Sequence, residues 1–475
     1  MAKELTEVQE KELKELLERA RVAAKVIENY DQETVDRLIR AVAWSVANKK
    51  TFLELVNMSI TESGLGDPVT RQNKRFKIRG VLRDALRAKS VGVIEDLPEK
   101  GIKKYAKPVG VIGALIPTTN PDLTPAGQAV YGIKARDVLI FSPHPRSKKT
   151  TFKTVELMRE ALVKLGAPAD ILQCIQNPSV AMTEALMSQV DLVIATGGKP
   201  MVKAAYSSGI PAYGSGAGNA TMIFDDTLEN HPERIHEACY NTMLSKTSDY
   251  GSGCSADGNI IIYDKVYDQV LSELEAVGGY RANEKEREAL KKVMWDEEGH
   301  RLADTVAIAP QKLAEAAGFT IPEDRKFIFV EGDGIGKEYF FSGEKLTTLL
   351  ATHKYSGEFE NALDVMRAIY EVGGKGHSVG IYSHDDEHIH RLALAAPVSR
   401  IMVRQPQSRA NSGAATNGMP MTSSMGCGTW GGNIVSENIS LKHYMNTTWV
   451  SRPIMRDMPA DEDLFGEFYD PEMEK

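Results

Sequence analysis

A cysteine set among small residues, Tyr250-Gly251-Ser252-Gly253-Cys254-Ser255-Ala256-Asp257-Gly258, runs directly into the β-branched segment Asn259-Ile260-Ile261-Ile262-Tyr263. No neighbour is large enough to cover the sulfur, so a loop delivering the chain to a buried strand presents it to a cleft as a nucleophile. The competing reading is packing, because a free cysteine is among the most buried residue types. A second chemical candidate is His384-Asp385-Asp386-Glu387-His388-Ile389-His390, where two histidines stand four apart with carboxylates between them. That spacing suits a metal ion, but Asp385 and Asp386 also make an ordinary helix N-terminus, and the capping reading is adopted.

The chain that must position these groups has 475 residues and a formal net charge of −8, enough length for two or three domains with real cores. It carries no basic block and no interleaving of aromatics with Arg and Lys, which argues against nucleic-acid binding. Its four cysteines, Cys174, Cys239, Cys254 and Cys427, show no CxxC spacing, so neither a disulfide framework nor a structural zinc site is expected. With no apolar run long enough to span a bilayer and no export-type leader, the expectation is a cytoplasmic protein without a membrane partner.

Residues 5–49 place Leu13, Leu16, Leu17, Ala20, Ala24 and Ile27 at helical spacing, and Asp31 caps a second helix. A further helix ends near residue 89, and residues 105–115 read as a strand. The loop Ile116-Pro117-Thr118-Thr119-Asn120-Pro121, a helix, the strand at 137–142 and the loop Pro143-His144-Pro145-Arg146-Ser147 follow. This is a βαβ unit, whose ligands sit at loops leaving the carboxyl ends of the strands. A later strand ends at Thr196 with Gly197-Gly198 opening a helix, which suits an anion at a helix N-terminus. Residues 214–218 form a glycine-rich turn with no acidic or basic side chain. Beyond Cys254 a second α/β block extends to about residue 430.

These ordered blocks, with Gly376-His377-Ser378 and Gly426-Cys427-Gly428-Thr429-Trp430-Gly431-Gly432-Asn433, resemble the aldehyde dehydrogenase superfamily and specifically its CoA-acylating branch. The resemblance covers about residues 105–455. It implies that Cys254 adds to an aldehyde carbonyl, that the adduct passes a hydride to a nicotinamide, and that a thioester remains. Asn120 matches the side chain whose amide holds the developing oxyanion with the Cys254 backbone N–H. Ile116, Pro117, Thr118, Ser142, His144, Arg146, Thr196, Gly197, Gly198 and Gly214 match the cofactor crevice, and Glu344 the carboxylate that contacts the nicotinamide ribose. His377 resembles a histidine of the acylating branch, serving proton transfer, loop support or only a local hydrogen bond.

Hydrolytic members place a glutamate in the turn that here reads Tyr213-Gly214-Ser215-Gly216-Ala217-Gly218, to activate water. Without it the thioester should wait for the thiol of coenzyme A. The cofactor is expected to be NAD or NADP, because the loop after residue 142 carries no carboxylate and Arg146 can pair with a ribose phosphate. Within the branch the sequence around Cys254 is most similar to enzymes acting on sulfoacetaldehyde. Ser252, His377, Arg409, Asn411, Thr422 and Ser423 are the expected substrate contacts, all of them but His377 as sulfonate ligands.

The expectation is therefore an α/β protein of aldehyde dehydrogenase fold. Residues 1–240 form a Rossmann-like cofactor domain with N-terminal helices, 241–430 a catalytic domain, and 431–475 a returning or oligomerisation segment. The expected partners are a small aldehyde and CoA, in a homodimer or homotetramer. Acetaldehyde or another short aldehyde, the reverse acyl-CoA reduction, and a non-catalytic protein retaining the fold are the alternatives.

Overall fold

The computed structural model describes residues 4–475. Four helices open it: Glu7–Ile27, Gln32–Ala47, Lys49–Ser63 and Arg75–Arg87. Thr6 and Gln9 form a reciprocal capping box on the first, and Asp31 accepts from the Thr34 N–H at the start of the second, satisfying amides that have no partner inside the helix. Their apolar stripes pack on a parallel five-stranded sheet in the order Leu172–Cys174, Val138–Pro143, Val111–Ile116, Leu192–Thr196, Ala212–Ser215. The strand order reverses between Val111–Ile116 and Leu192–Thr196, and the loops leaving these two strands flank the crevice where such sheets bind ligands.

The run at 105–115 is two strands rather than one. Ile102–Pro108 belongs to a separate antiparallel ribbon, and the chain breaks at Gly110, whose φ is 122°. A Cβ there would collide with the Asp191 carboxylate, which instead accepts from the Val111 N–H at 2.7 Å.

A second parallel sheet has seven strands in the order Gly279–Arg281, Phe327–Glu331, Leu349–Tyr355, Asn259–Tyr263, Thr221–Phe224, Val379–Tyr382, Ile401–Val403. Thr221–Phe224 lies inside this sheet, and Met222, Ile223, Phe224 and Ile235 belong to its core. The change of sheet therefore falls between Ser215 and Thr221, earlier than the expected boundary near residue 240. The chain also re-joins the first core before residue 431, because Met421, Ile439, Leu441 and Tyr444 pack there. Met445–Ser451 then runs antiparallel to Ile102–Pro108 at the edge of a three-stranded sheet. No described helix is long and apolar enough to cross a membrane.

Candidate active site

Cys254 lies in the loop between helix Pro232–Thr247 and strand Asn259–Tyr263, half-buried, whereas the other three cysteines are buried. The approach to it is strained. Asp249 and Tyr250 have φ of 49° and 51°, a conformation that costs about 1–3 kcal/mol per non-glycine residue. A buried ionic cluster holds it in place. Asp249 Oδ2 accepts from Arg71 Nη1 at 3.0 Å, from Lys74 Nζ at 2.5 Å and from Ser252 Oγ at 2.6 Å, while its backbone N–H donates to Thr70 Oγ1. Burial alone would raise the Asp249 carboxyl, but Lys74 and Arg71 together hold it below the ordinary value.

The same cations reach the loop after strand Val111–Ile116. Arg71 and Lys74 each donate to the Thr119 carbonyl at 3.0 Å, and Lys74 Nζ donates to Asn120 Oδ1 at 2.7 Å. With its oxygen held, the Asn120 amide presents its NH2 end, which makes only a long 3.4 Å contact to Thr119 Oγ1. One cluster thus braces the loop of Cys254 against the loop of Asn120. None of Arg71, Lys74 or Asp249 was singled out from the sequence, where all three read as ordinary charged residues of a helix or turn.

On the opposite side, His377 Nε2 lies 3.1 Å from Cys254 Sγ. His377 and Ser378 are fully buried at the entry to strand Val379–Tyr382. Burial, reinforced by Arg400, holds the imidazole down to about 3, so it is neutral across the physiological range. Arg400 is itself buried and has no carboxylate partner among the described residues. It donates to the His377 carbonyl at 2.9 Å and to Asn438 Oδ1 at 3.2 Å. Burial, with a contribution from Glu344, pushes the Cys254 thiol up to about 12 against the pull of Arg400. In the ligand-free protein the sulfur is therefore a thiol.

The glycine turn packs directly against Cys254. A Cβ at Gly218 would run into the Cys254 carbonyl, and one at Gly216 into Cys427, so only glycine fits between the two loops. Gly218 N–H donates to Glu344 Oε1 at 3.1 Å, and burial pushes this carboxyl up to about 7.

The crevice at the reversal of the first sheet suits a dinucleotide. Thr118 Oγ1 is buried without a partner beyond Ile116, and helix Lys199–Ser207 starts at Gly198 with no side chain capping its free amides. Thr196 Oγ1 shares a 2.6 Å hydrogen bond with Ser424, and Gly214 N–H donates to Tyr206 at 3.0 Å. Two expected contacts are engaged by the protein itself: Ser142 is buried and bonded to Thr183 at 2.8 Å, and His144 Nδ1 accepts from the Arg146 N–H. Arg146 is exposed and donates to the Ser63 carbonyl. The loop has no carboxylate of its own, but one reaches it from another element. Glu62, from the third helix, accepts from the Lys149 and Thr150 amides at 2.7 and 2.8 Å and caps the helix that follows.

The expected sulfonate contacts need more revision. Ser252 spends its hydroxyl proton on Asp249. Asn411 is fully buried and donates to Ser378, and Thr422 donates to the Ser424 and Ile439 carbonyls. Arg409 is exposed, and its backbone carbonyl accepts from Lys77 Nζ at 3.0 Å. Only Ser423 stays half-buried with its hydroxyl uncommitted, against Gly127. In the histidine-rich segment Asp385 caps helix Asp386–Ala395, and His388 pairs with Asp225 at 2.8 Å while stacking on Phe359.

A profile of the aldehyde dehydrogenase family matches residues 2–289. The chain belongs to that family. It is 41% identical to the sulfoacetaldehyde dehydrogenase of Acholeplasma sp, covering 95% of this chain and 93% of that protein. It is 38% identical to the acylating sulfoacetaldehyde dehydrogenase of Bilophila wadsworthia, covering 97% and 99% of the two chains. Among solved structures it resembles an acetylating aldehyde dehydrogenase from Geobacillus thermoglucosidasius, with TM-score 0.90, 33% identity and coverage of 96% and 100%. In this aldehyde dehydrogenase the half-buried Cys254 therefore has an imidazole at 3.1 Å and lies against a glycine turn that carries no carboxylate of its own.

Proposed function

We propose that this aldehyde dehydrogenase oxidises sulfoacetaldehyde and passes the acyl group to CoA. The observation that carries the reading is the contact surface of Cys254: His377 on one side, and on the other a turn whose residues 214–218 carry no carboxylate. The named relatives, whole-length and 38–41% identical, support the choice of aldehyde.

The Cys254 sulfur adds to the aldehyde carbon, forming the S–C bond as its proton is lost, and the carbonyl oxygen takes up negative charge against the Asn120 amide and the Cys254 N–H. When bound, the nicotinamide dinucleotide accepts the hydride from this carbon, and CoA brings the thiol that takes the acyl group. Collapse of the adduct, with loss of hydride, leaves Cys254 as a thioester. No carboxylate in the glycine turn draws a proton from water, so the thioester persists until a thiol attacks it. The Cys254–carbon bond then breaks, and the proton of the attacking thiol is returned to the Cys254 sulfur. Every step reverses with a reduced cofactor and an acyl-CoA.

Glu62 supports NAD over NADP, because a carboxylate at the start of the helix after the second strand of the unit repels a ribose phosphate. A homo-oligomer is supported by the C-terminal strand, which lies at a sheet edge with Trp449 and Val450 exposed, followed by the exposed Ile454, Met455 and Phe468. Turnover with sulfoacetaldehyde and with acetaldehyde, each with and without CoA, tests the reading. CoA-dependent turnover favouring sulfoacetaldehyde is expected; a preference for acetaldehyde would overturn the substrate and leave the chemistry.

A further inference from the structure

His377 is a neutral imidazole touching the nucleophile, and its effect on the sulfur depends on which nitrogen carries the proton. A bare Nε2 would take the thiol proton. An Nε2–H would donate a hydrogen bond to the sulfur. The side chains behind His377 decide between the two.

The chain of contacts begins at an acceptor that cannot change its role. The Thr221 backbone carbonyl accepts from Gln407 Nε2 at 3.0 Å, which fixes the orientation of that amide, and Asp257 Oδ1 accepts from the same nitrogen at 2.6 Å. Gln407 therefore turns its Oε1 toward Asn411, whose Nδ2 lies 3.4 Å away. Asn411 is fully buried, so it must present its NH2 on this side, and the same Nδ2 donates to Ser378 Oγ at 3.1 Å. The opposite orientation would set two amide oxygens against each other without water. Ser378 Oγ, already accepting from Asn411, has one proton to give, and the remaining partner within reach is His377 Nδ1 at 2.9 Å. Nδ1 is then an acceptor, and the imidazole proton sits on Nε2, 3.1 Å from Cys254 Sγ.

We infer that Gln407, Asn411 and Ser378 are positioning residues that lock His377 as the Nε2–H tautomer, making it a hydrogen-bond donor to the Cys254 sulfur and not the base that removes its proton. A sulfur that alternates between anion, adduct and thioester keeps one fixed donor throughout. The proton lost on ionisation passes to solvent, and one proton is released for each aldehyde oxidised. Arg400 fits the same scheme: it bonds the His377 backbone carbonyl and leaves the ring free to obey Ser378. The motif Gly376-His377-Ser378 is visible in the sequence, but Gln407 and Asn411 arrive from a segment about thirty residues on, where Asn411 reads as a substrate contact and Gln407 carries no signal.

The inference rests on Cys254 as the nucleophile, yet its test reads the imidazole directly. The full-length protein is prepared with 15N-labelled histidine, and the His377 signals are assigned by their loss in His377→Gln. The wild-type protein is expected to show a protonated Nε2 and a bare Nδ1. In Asn411→Asp the carboxylate accepts the Ser378 hydroxyl, and the proton is expected to move to Nδ1. In Ser378→Ala the lock is gone, and kcat and the rate of Cys254 alkylation at fixed pH are expected to fall about tenfold with KM for the aldehyde unchanged, as for one lost hydrogen bond to a charged group. A wild-type His377 protonated on Nδ1 would overturn the inference whatever the variants do. So would a Ser378→Ala protein with wild-type spectrum and kinetics. If Cys254→Ser retained full activity, the nucleophile reading would fail while the tautomer result stood.

Discussion

Two polar clusters flank Cys254, and they are built from opposite materials. Beneath Asn120 lies a charged one, in which Arg71 and Lys74 meet Asp249 with Asp122 3.7 Å from Arg71. Behind His377 lies an amide and hydroxyl chain of Ser378, Asn411 and Gln407 that ends on the Asp257 carboxyl, and the cation beside His377, Arg400, bonds a carbonyl and an amide oxygen rather than a carboxylate. The charged cluster joins residues about 180 apart in sequence and holds two loops in one register. The neutral cluster holds protons in one arrangement. Coulomb attraction is strong but weakly directional, so it suits bracing backbones, whereas neutral donors and acceptors fix which atom carries a hydrogen.

The largest effect expected from breaking this contrast is on stability. Asp249→Asn leaves the buried Arg71 and the half-buried Lys74 without their shared carboxylate and should cost about 3–5 kcal/mol in denaturant unfolding. Asn411→Ala, in the neutral cluster, should cost far less by the same measurement. The next largest effect is catalytic: Asn120→Ala should lower kcat about 10²–10³-fold with little change in unfolding. Glu62→Gln, outside both clusters, should raise kcat/KM with NADP relative to NAD about tenfold.

The smallest effect concerns acid. Because the folded Asp249 carboxyl is held below its unfolded value, its contribution is complete above pH of about 4 and fades as pH falls through the folded value. The wild-type protein should therefore lose stability with acid more steeply than Asp249→Asn below that point. Equal slopes would remove the ion pairs from the account.

Much of the fold was legible, because strands such as Val138–Pro143 and Asn259–Tyr263 are continuous apolar runs and helix starts such as Asp31 carry their own capping chemistry. Leu349–Tyr355 was not: Thr352, His353 and Lys354 interrupt its apolar pattern, although His353 is buried against Asn259. Thr221–Phe224 is only four residues long and follows a glycine turn, which hid the change of sheet. Cys254 and Asn120 stood out because their loops have distinctive local composition. Glu62, Arg71 and Arg400 did not, since each acts on a segment that reaches it only through the fold. Ser252 and Thr422 were unreadable for the same reason: a polar stretch says nothing about which carbonyl or carboxylate will consume its protons.

The central claim is that the Cys254 thioester is stable until a thiol arrives. The most direct measurement mixes the protein with aldehyde and oxidised cofactor without CoA, follows reduced cofactor, and weighs the quenched chain. A burst of one reduced cofactor per active site, with the acyl group on Cys254 and turnover resuming only on addition of CoA, is the predicted result. Sustained turnover without CoA, with Cys254 unmodified, would contradict it.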